Sequence, residues 1–277
     1  MSTARLFEKI RQKQSYLCIG LDSDADKIPS HLNNQEDPVF EFNKAIIDNT
    51  HDTCVAYKIN TAFYETNGAK GWKTLEKTIN YIKQNYPEIF VIADAKRGDI
   101  GNTARMYART FFETLNCDAA TVTPYMGKDS AEPFLEFKNK WTILLGLTSN
   151  EGASDFQYFY SEKEKMRLFE KVISTASCWG NKNNTMFVFG ATKVEELEKI
   201  RKIIPEHFLL VPGIGAQGGS LEEVSSKGMN KKCGLLINSS RSIIFSDSSH
   251  DFHKAAREKA TALQQKMIKI LKDKQLI

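Results

Sequence analysis

No stretch of this 277-residue sequence approaches the roughly 18 consecutive apolar residues of a membrane-spanning helix. The opening segment MSTARLFEKIRQKQ carries charges throughout, so it is not expected to act as a secretory signal. Cysteine is sparse. Cys18, Cys54, Cys117, Cys178 and Cys233 are widely spaced and form no CxxC pair, which points to packing roles in a reducing, cytoplasmic setting. The five histidines (His31, His51, His207, His250, His253) show no metal-ligand spacing, and none stands at the C-terminal end of a strand candidate, so no metal is expected. A GxSxG elbow is missing, as is any local signature of a nucleophilic cysteine. The net charge of +4 is mild. Much of it comes from Lys254, Arg257, Lys259, Lys266, Lys269, Lys272 and Lys274 near the C-terminus, read as a solvated helix face. Nucleic-acid binding would need a stronger basic patch interleaved with aromatics.

What is present is ordinary material for a large core: 41% hydrophobic and 26% charged residues, close to soluble globular averages. The length could hold two domains, but α/β barrels of about 250 residues fold as one. Short β-branched runs at 16–22, 55–60, 89–96, 119–124, 142–148, 186–190, 208–212 and 235–238 predict strands. Helical periodicity fills the gaps at 40–49, 70–84, 103–115, 130–138, 163–177, 193–203, 221–227 and 250–274. Unbroken strand-helix alternation predicts a TIM (β/α)8 barrel spanning 1–277 as a single domain. A doubly wound open sheet is the main alternative, because its strands would be equally buried. Two connections, 23–38 and 150–162, exceed the usual loop length. The second carries Phe156, Tyr158, Phe159 and Tyr160, and reads either as a lid or as a locally packed loop.

Polar residues collect at the C-terminal ends of the strand candidates: Asp22, Asp24, Lys58, Asp94, Lys96, Ser149 and Arg241. That rim is where barrels build their sites. In IADAKRGDIGNTA, Asp94 and Lys96 are two apart on a strand and share a face, and Asp99 follows where the chain turns into a helix. Asp99 alone would read as a helix-start acid. In VPGIGAQGG, Gly213, Gly215 and Gly218 match GxGxxG formally, but the motif follows the seventh strand and the later acid is replaced by Asn238. A backbone nest for one phosphate, assisted by Arg241, or a purely structural glycine turn are the remaining readings.

DAKRGDIGNT resembles the DxKxxD signature of orotidine 5′-phosphate decarboxylases. GLDSD, YKIN, LTSNEGA, PGIGAQGG and NSSR resemble that family's other site segments, in order, so the similarity covers nearly the whole chain. DxKxxD alone would be shared with related sugar-phosphate barrels. The resemblance implies that Lys58, Asp94, Lys96 and Asp99 form an alternating charge network, with Asp99 reaching into the site of a partner subunit. It implies that Thr103 of that partner and Asp22 of the home subunit touch the ribose, and that Ser149 bonds the pyrimidine edge. Gln217, Gly218, Gly219 and Arg241 would grip the phosphate, Pro212 would line the substrate site, and Asn60 would support the lysines. It further implies a homodimer with shared sites, no cofactor, and neither membrane nor nucleic acid as partner.

The implied chemistry suits these residues. Decarboxylation leaves an electron pair on a ring carbon, and an ammonium held where that charge develops can stabilise it and then protonate it. Lys96 is the candidate. Two like charges about 4 Å apart repel by about 4 kcal/mol at an effective dielectric near 20, against barrier reductions of about 8–23 kcal/mol in enzymes. Repulsion between Asp94 or Asp99 and a substrate carboxylate would therefore be the smaller share. Three alternatives stay open: a metal-dependent sugar-phosphate lyase, a Schiff-base aldolase using Lys58 or Lys96, and a catalytically silent nucleotide-binding protein.

Overall fold

The computed structural model describes residues 1–214 and 219–277. Its strands are β1 (Leu17–Gly20), β2 (Ala56–Asn60), β3 (Phe90–Arg97), β4 (Ala119–Val122), β5 (Trp141–Leu147), β6 (Thr185–Phe189), β7 (Phe208–Pro212) and β8 (Leu235–Ser239). Each pairs in parallel with its sequence neighbour, and β1 also pairs with β8, Leu17 opposite Ile237. That last pairing closes the barrel and excludes the open sheet.

Side chains alternate across each strand, so Phe90, Ile92 and Asp94 of β3 share one face. Phe90, Trp141 and Phe208, at the starts of β3, β5 and β7, meet nearly edge-on, with ring centroids 6.2 and 6.4 Å from Trp141. These rings, fully buried, fill the lower end of the barrel. Truncating one would cost about 3–5 kcal/mol. The interior is thus packed below and opens above, where the strands end in polar residues.

Around the ring lie α1 (Thr3–Lys13), α2 (Pro38–Thr50), α3 (Gly68–Asn85), α4 (Gly101–Arg109), α5 (Lys128–Leu135), α6 (Leu168–Ala176), α7 (Leu197–Ile203), α8 (Leu221–Gly228) and α9 (Phe252–Asp273). Helix α1 has no counterpart in the sequence reading. It buries Thr3, Leu6 and Ile10 along one stripe and is capped by Ser2, which accepts from the Arg5 N–H. It crosses the lower end of the barrel, where the Trp141 indole donates to the Met1 carbonyl at 2.6 Å.

Three helices differ from expectation. Residues 160–167 form a small antiparallel hairpin, so α6 starts at Leu168 instead of 163. Arg167 is extended, with its N–H donating to Glu170, and this cap stops the helix from running further back. Helix α4 widens into a π turn at Thr110–Thr114. The segment 191–196 is a tighter turn broken at Lys193, so α7 keeps only Leu197–Ile203. Cys18, Cys54, Cys117 and Cys233 are buried and free, while Cys178 is exposed. Among the described residues no helix is long and apolar enough to cross a membrane.

Candidate active site

The upper mouth of the barrel holds a cavity of about 440 Å³, a size typical of small-ligand sites. Asp22 follows β1, Lys58 and Asn60 come from β2, Asp94 and Lys96 from β3, Ser149 follows β5, Pro212 ends β7 and Arg241 follows β8; all of them line the cavity. Eight residues foreseen as site members therefore converge, although they are separated along the chain by up to 219 positions.

At the centre stands Asp94, 8% exposed. Its Oδ2 accepts from Lys58 Nζ at 2.8 Å and its Oδ1 from Lys96 Nζ at 2.6 Å. Lys58 Nζ also donates to Asp22 Oδ1 at 3.2 Å. Burial alone would raise the Asp94 pKa, but Lys58 and then Lys96 reverse this and hold the carboxyl well below the usual range. Burial likewise opposes the charge on Lys58, yet Asp94 and Asp22 outweigh it and hold its ammonium well above the ordinary lysine value. The two lysines have different environments. The Lys58 side chain is 5% exposed and that of Lys96 49%, so Lys96 is the ammonium presented to an incoming ligand.

Lys96 also has a left-handed backbone, φ 46°, unusual for a residue other than glycine. Such a conformation costs about 1–2 kcal/mol and persists where its surroundings enforce it. Here β3 bulges: pairing with β4 is regular to Ala93 and resumes only at Arg97. Bulges are frequent beside sites, and at this one Asp94 and Lys96 both face the cavity.

The opposite rim contains Pro212, Gly213, Ser240 and Arg241. Gly213 lies at φ +101°, a region that side-chain-bearing residues rarely adopt. Leu145, Val188 and Leu210 make an apolar wall between the two ends. Ser149 sits over Gly190, where an added Cβ would come within 2.7 Å of the Ser149 nitrogen. Glycine at 190 is therefore what lets the two βα connections approach.

Some expected residues are elsewhere. Asp99 and Thr103 lie outside this cavity, on the exit from β3 and on α4; Asp99 Oδ1 accepts from the Ile100 N–H. Gly219 is also outside it, its N–H donating to the Gly213 carbonyl and its Cα packed so closely that a Cβ would meet Ala191 at 2.5 Å. Gln217 and Gly218 lie outside the described residues. Asp24 is a rim residue only in sequence; it caps the turn Ala25–Lys27 and pairs with Lys27.

Asn238 is a site residue not expected from the sequence. It is 6% exposed, lines the cavity from β8, and its Oδ1 has no hydrogen-bond partner among the described residues. The signal was available: a polar residue on the same face as Leu236 at a strand's end. The 150–162 connection is locally packed in part. Tyr158 packs on Phe169 at 5.5 Å, while Phe156 and Phe159 remain largely exposed. Among the described residues no group of three or more His, Cys, Asp or Glu side chains could hold a metal ion.

The chain is similar over nearly its whole length to known proteins. Residues 15–257 match the family model described as Orotidine 5′-phosphate decarboxylase / HUMPS family. A Flavobacterium johnsoniae protein named orotidine 5′-phosphate decarboxylase is 60% identical over 274 residues, covering 99% of this chain and 100% of that protein. A Bacteroides fragilis protein of the same name is 58% identical over 272 residues, covering 98% and 99%. The solved structure of Leishmania donovani OMP decarboxylase superposes with a TM-score of 0.78 at 35% identity, covering 96% of this chain and all of that one. The chain belongs to the orotidine 5′-phosphate decarboxylase / HUMPS family.

Proposed function

We propose that this chain decarboxylates orotidine 5′-monophosphate to uridine 5′-monophosphate, a step of pyrimidine biosynthesis, without a cofactor. The observation that carries the reading is the buried Asp94 flanked by two cavity-lining lysines, of which Lys96 is much the more exposed. The names of the Flavobacterium and Bacteroides relatives support the substrate.

The bond between the ring carbon and the carboxylate breaks, carbon dioxide leaves, and the electron pair stays on the ring carbon. The Lys96 ammonium stands where that charge develops, then gives the carbon a proton and is reprotonated from water. Asp94 holds this ammonium, and Lys58 with Asp22 holds Asp94. Asn60 supports the lysines, Ser149 and Asp22 contact the pyrimidine and ribose, and Pro212, Gln217, Gly218, Gly219 and Arg241 form the phosphate end. Binding energy from that remote phosphate aligns the ring on Lys96.

Asp99 and Thr103 act in the site of a second copy. Their place outside their own chain's cavity supports this, as do the exposed Ile100 and Met106 on the same βα unit and Tyr125 and Met126 on the next. A Schiff-base mechanism through Lys58 is disfavoured, because its neutral amine is suppressed by Asp94 and Asp22.

The test is spectrophotometric loss of orotidine 5′-monophosphate with the purified protein and with Lys96→Ala. The parent turns substrate over, and the variant loses at least about 10³-fold in kcat. A variant retaining substantial turnover removes Lys96 from this role.

A further inference from the structure

The barrel places one hydroxyl where it touches both halves of the lysine's environment. Thr121 of β4 is fully buried. Its Oγ1 accepts from the Lys96 backbone N–H at 2.8 Å and donates to Asp94 Oδ1 at 3.0 Å. The same carboxylate oxygen accepts from Lys96 Nζ at 2.6 Å. The result is a closed loop: Lys96 amide to Thr121, Thr121 to Asp94, and Asp94 back to the Lys96 ammonium. The threonine has a single hydroxyl proton and the amide N–H can only donate, so that proton must go to the carboxylate.

The bulge explains why threonine meets these groups. Pairing between β3 and β4 holds at Ala93 with Ala120 and resumes at Arg97 with Val122. Asp94, Ala95 and Lys96 therefore all lie opposite Thr121. Within the bulge the ladder cannot satisfy the Lys96 N–H, and the side chain of residue 121 takes it instead. Without that acceptor, a partly buried donor and a left-handed φ of 46° would both be left uncompensated.

We infer that Thr121 is a positioning residue, whose hydroxyl clamps the left-handed backbone of Lys96 and the Asp94 carboxylate together and so aims the Lys96 ammonium at the substrate. The kinetic consequence rests on the decarboxylase reading above; the clamp itself does not. Thr121→Val removes the hydroxyl at nearly constant volume, and Thr121→Ser retains it. In Thr121→Val, kcat on orotidine 5′-monophosphate falls by about 10- to 100-fold with KM within about twofold, as expected when a reacting group moves by a fraction of an ångström. Thr121→Ser stays within about threefold of the parent, a rescue that a purely volumetric role would not give.

Hydrogen exchange at the Lys96 amide provides the readout independent of turnover. Exchange is slow in the parent and in Thr121→Ser, and at least about tenfold faster in Thr121→Val, matching the loss of one hydrogen bond. Unchanged exchange in the valine variant, or a kcat within twofold of the parent, overturns the inference. If the valine variant is not recovered folded, Thr121→Ala is held to the same criteria against the serine variant. A parent without turnover but with this exchange pattern would sink the decarboxylase reading and leave the clamp standing.

Discussion

Asp94 occupies a nearly dry position that a lone carboxylate could not tolerate in charged form. Lys58 and Lys96 reverse the penalty, and each is in turn held by the acid. Because the folded-state pKa of Asp94 lies below its ordinary value, its contribution to stability is complete above about pH 4 and is lost as the pH falls further. Lys58 has the opposite sign: its raised pKa contributes below about pH 10 and is lost only at higher pH. Asp94→Asn should therefore cost about 3 kcal/mol near neutrality, since it leaves the buried Lys58 with Asp22 alone. Urea midpoints of parent and variant should draw closer as the pH falls from about 4 toward about 2. A gap that stays constant over that interval would contradict the assignment.

Among the elements, α1 shows best what helical propensity alone conceals. Its buried stripe is narrow, Thr3, Leu6 and Ile10, and is embedded in the charged residues that argue against a secretory signal. Packed on the lower end of the barrel, the same residues are wholly shielded from water or nearly so. Leu6→Ala should lower stability by about 2–5 kcal/mol in equilibrium denaturation. The site is on the opposite end of the barrel, so kcat should remain within about twofold at a temperature where the variant is folded. A loss below about 0.5 kcal/mol would mean that α1 is only loosely attached. The β3 bulge is the counterpart at the site end, an irregular element at which two charged side chains face one cavity.

For the whole molecule, the prediction concerns assembly. Ile100, Met106, Tyr125 and Met126 leave apolar surface in solvent beside Asp99 and Thr103, and Tyr125 is 86% exposed. If two copies bury this surface, sedimentation should give twice the 31.4 kDa chain mass. The double substitution Tyr125→Arg, Met126→Asp should then yield monomers with kcat/KM lower by at least about 10²-fold, because Asp99 and Thr103 no longer reach a neighbour's cavity. A monomeric variant with parental activity would rule out sharing of the sites.

The alternating runs of strand and helix, read from period alone, were enough to specify eight βα units, because a buried strand and an amphipathic helix each leave a periodic trace in the chain. The polar residues at strand ends, Lys58, Asp94, Lys96 and Arg241 among them, were equally legible, since charge does not otherwise belong at the end of a buried run. Closure of the barrel was decided only in three dimensions, by the pairing of Leu17 with Ile237 across the full length of the chain. So were the hairpin before α6, the left-handed turn at Lys96, and the contact of Thr121 with residues 25 and 27 positions away. Such contacts depend on which strand lies beside which, and at what register, and no local pattern of residues encodes that.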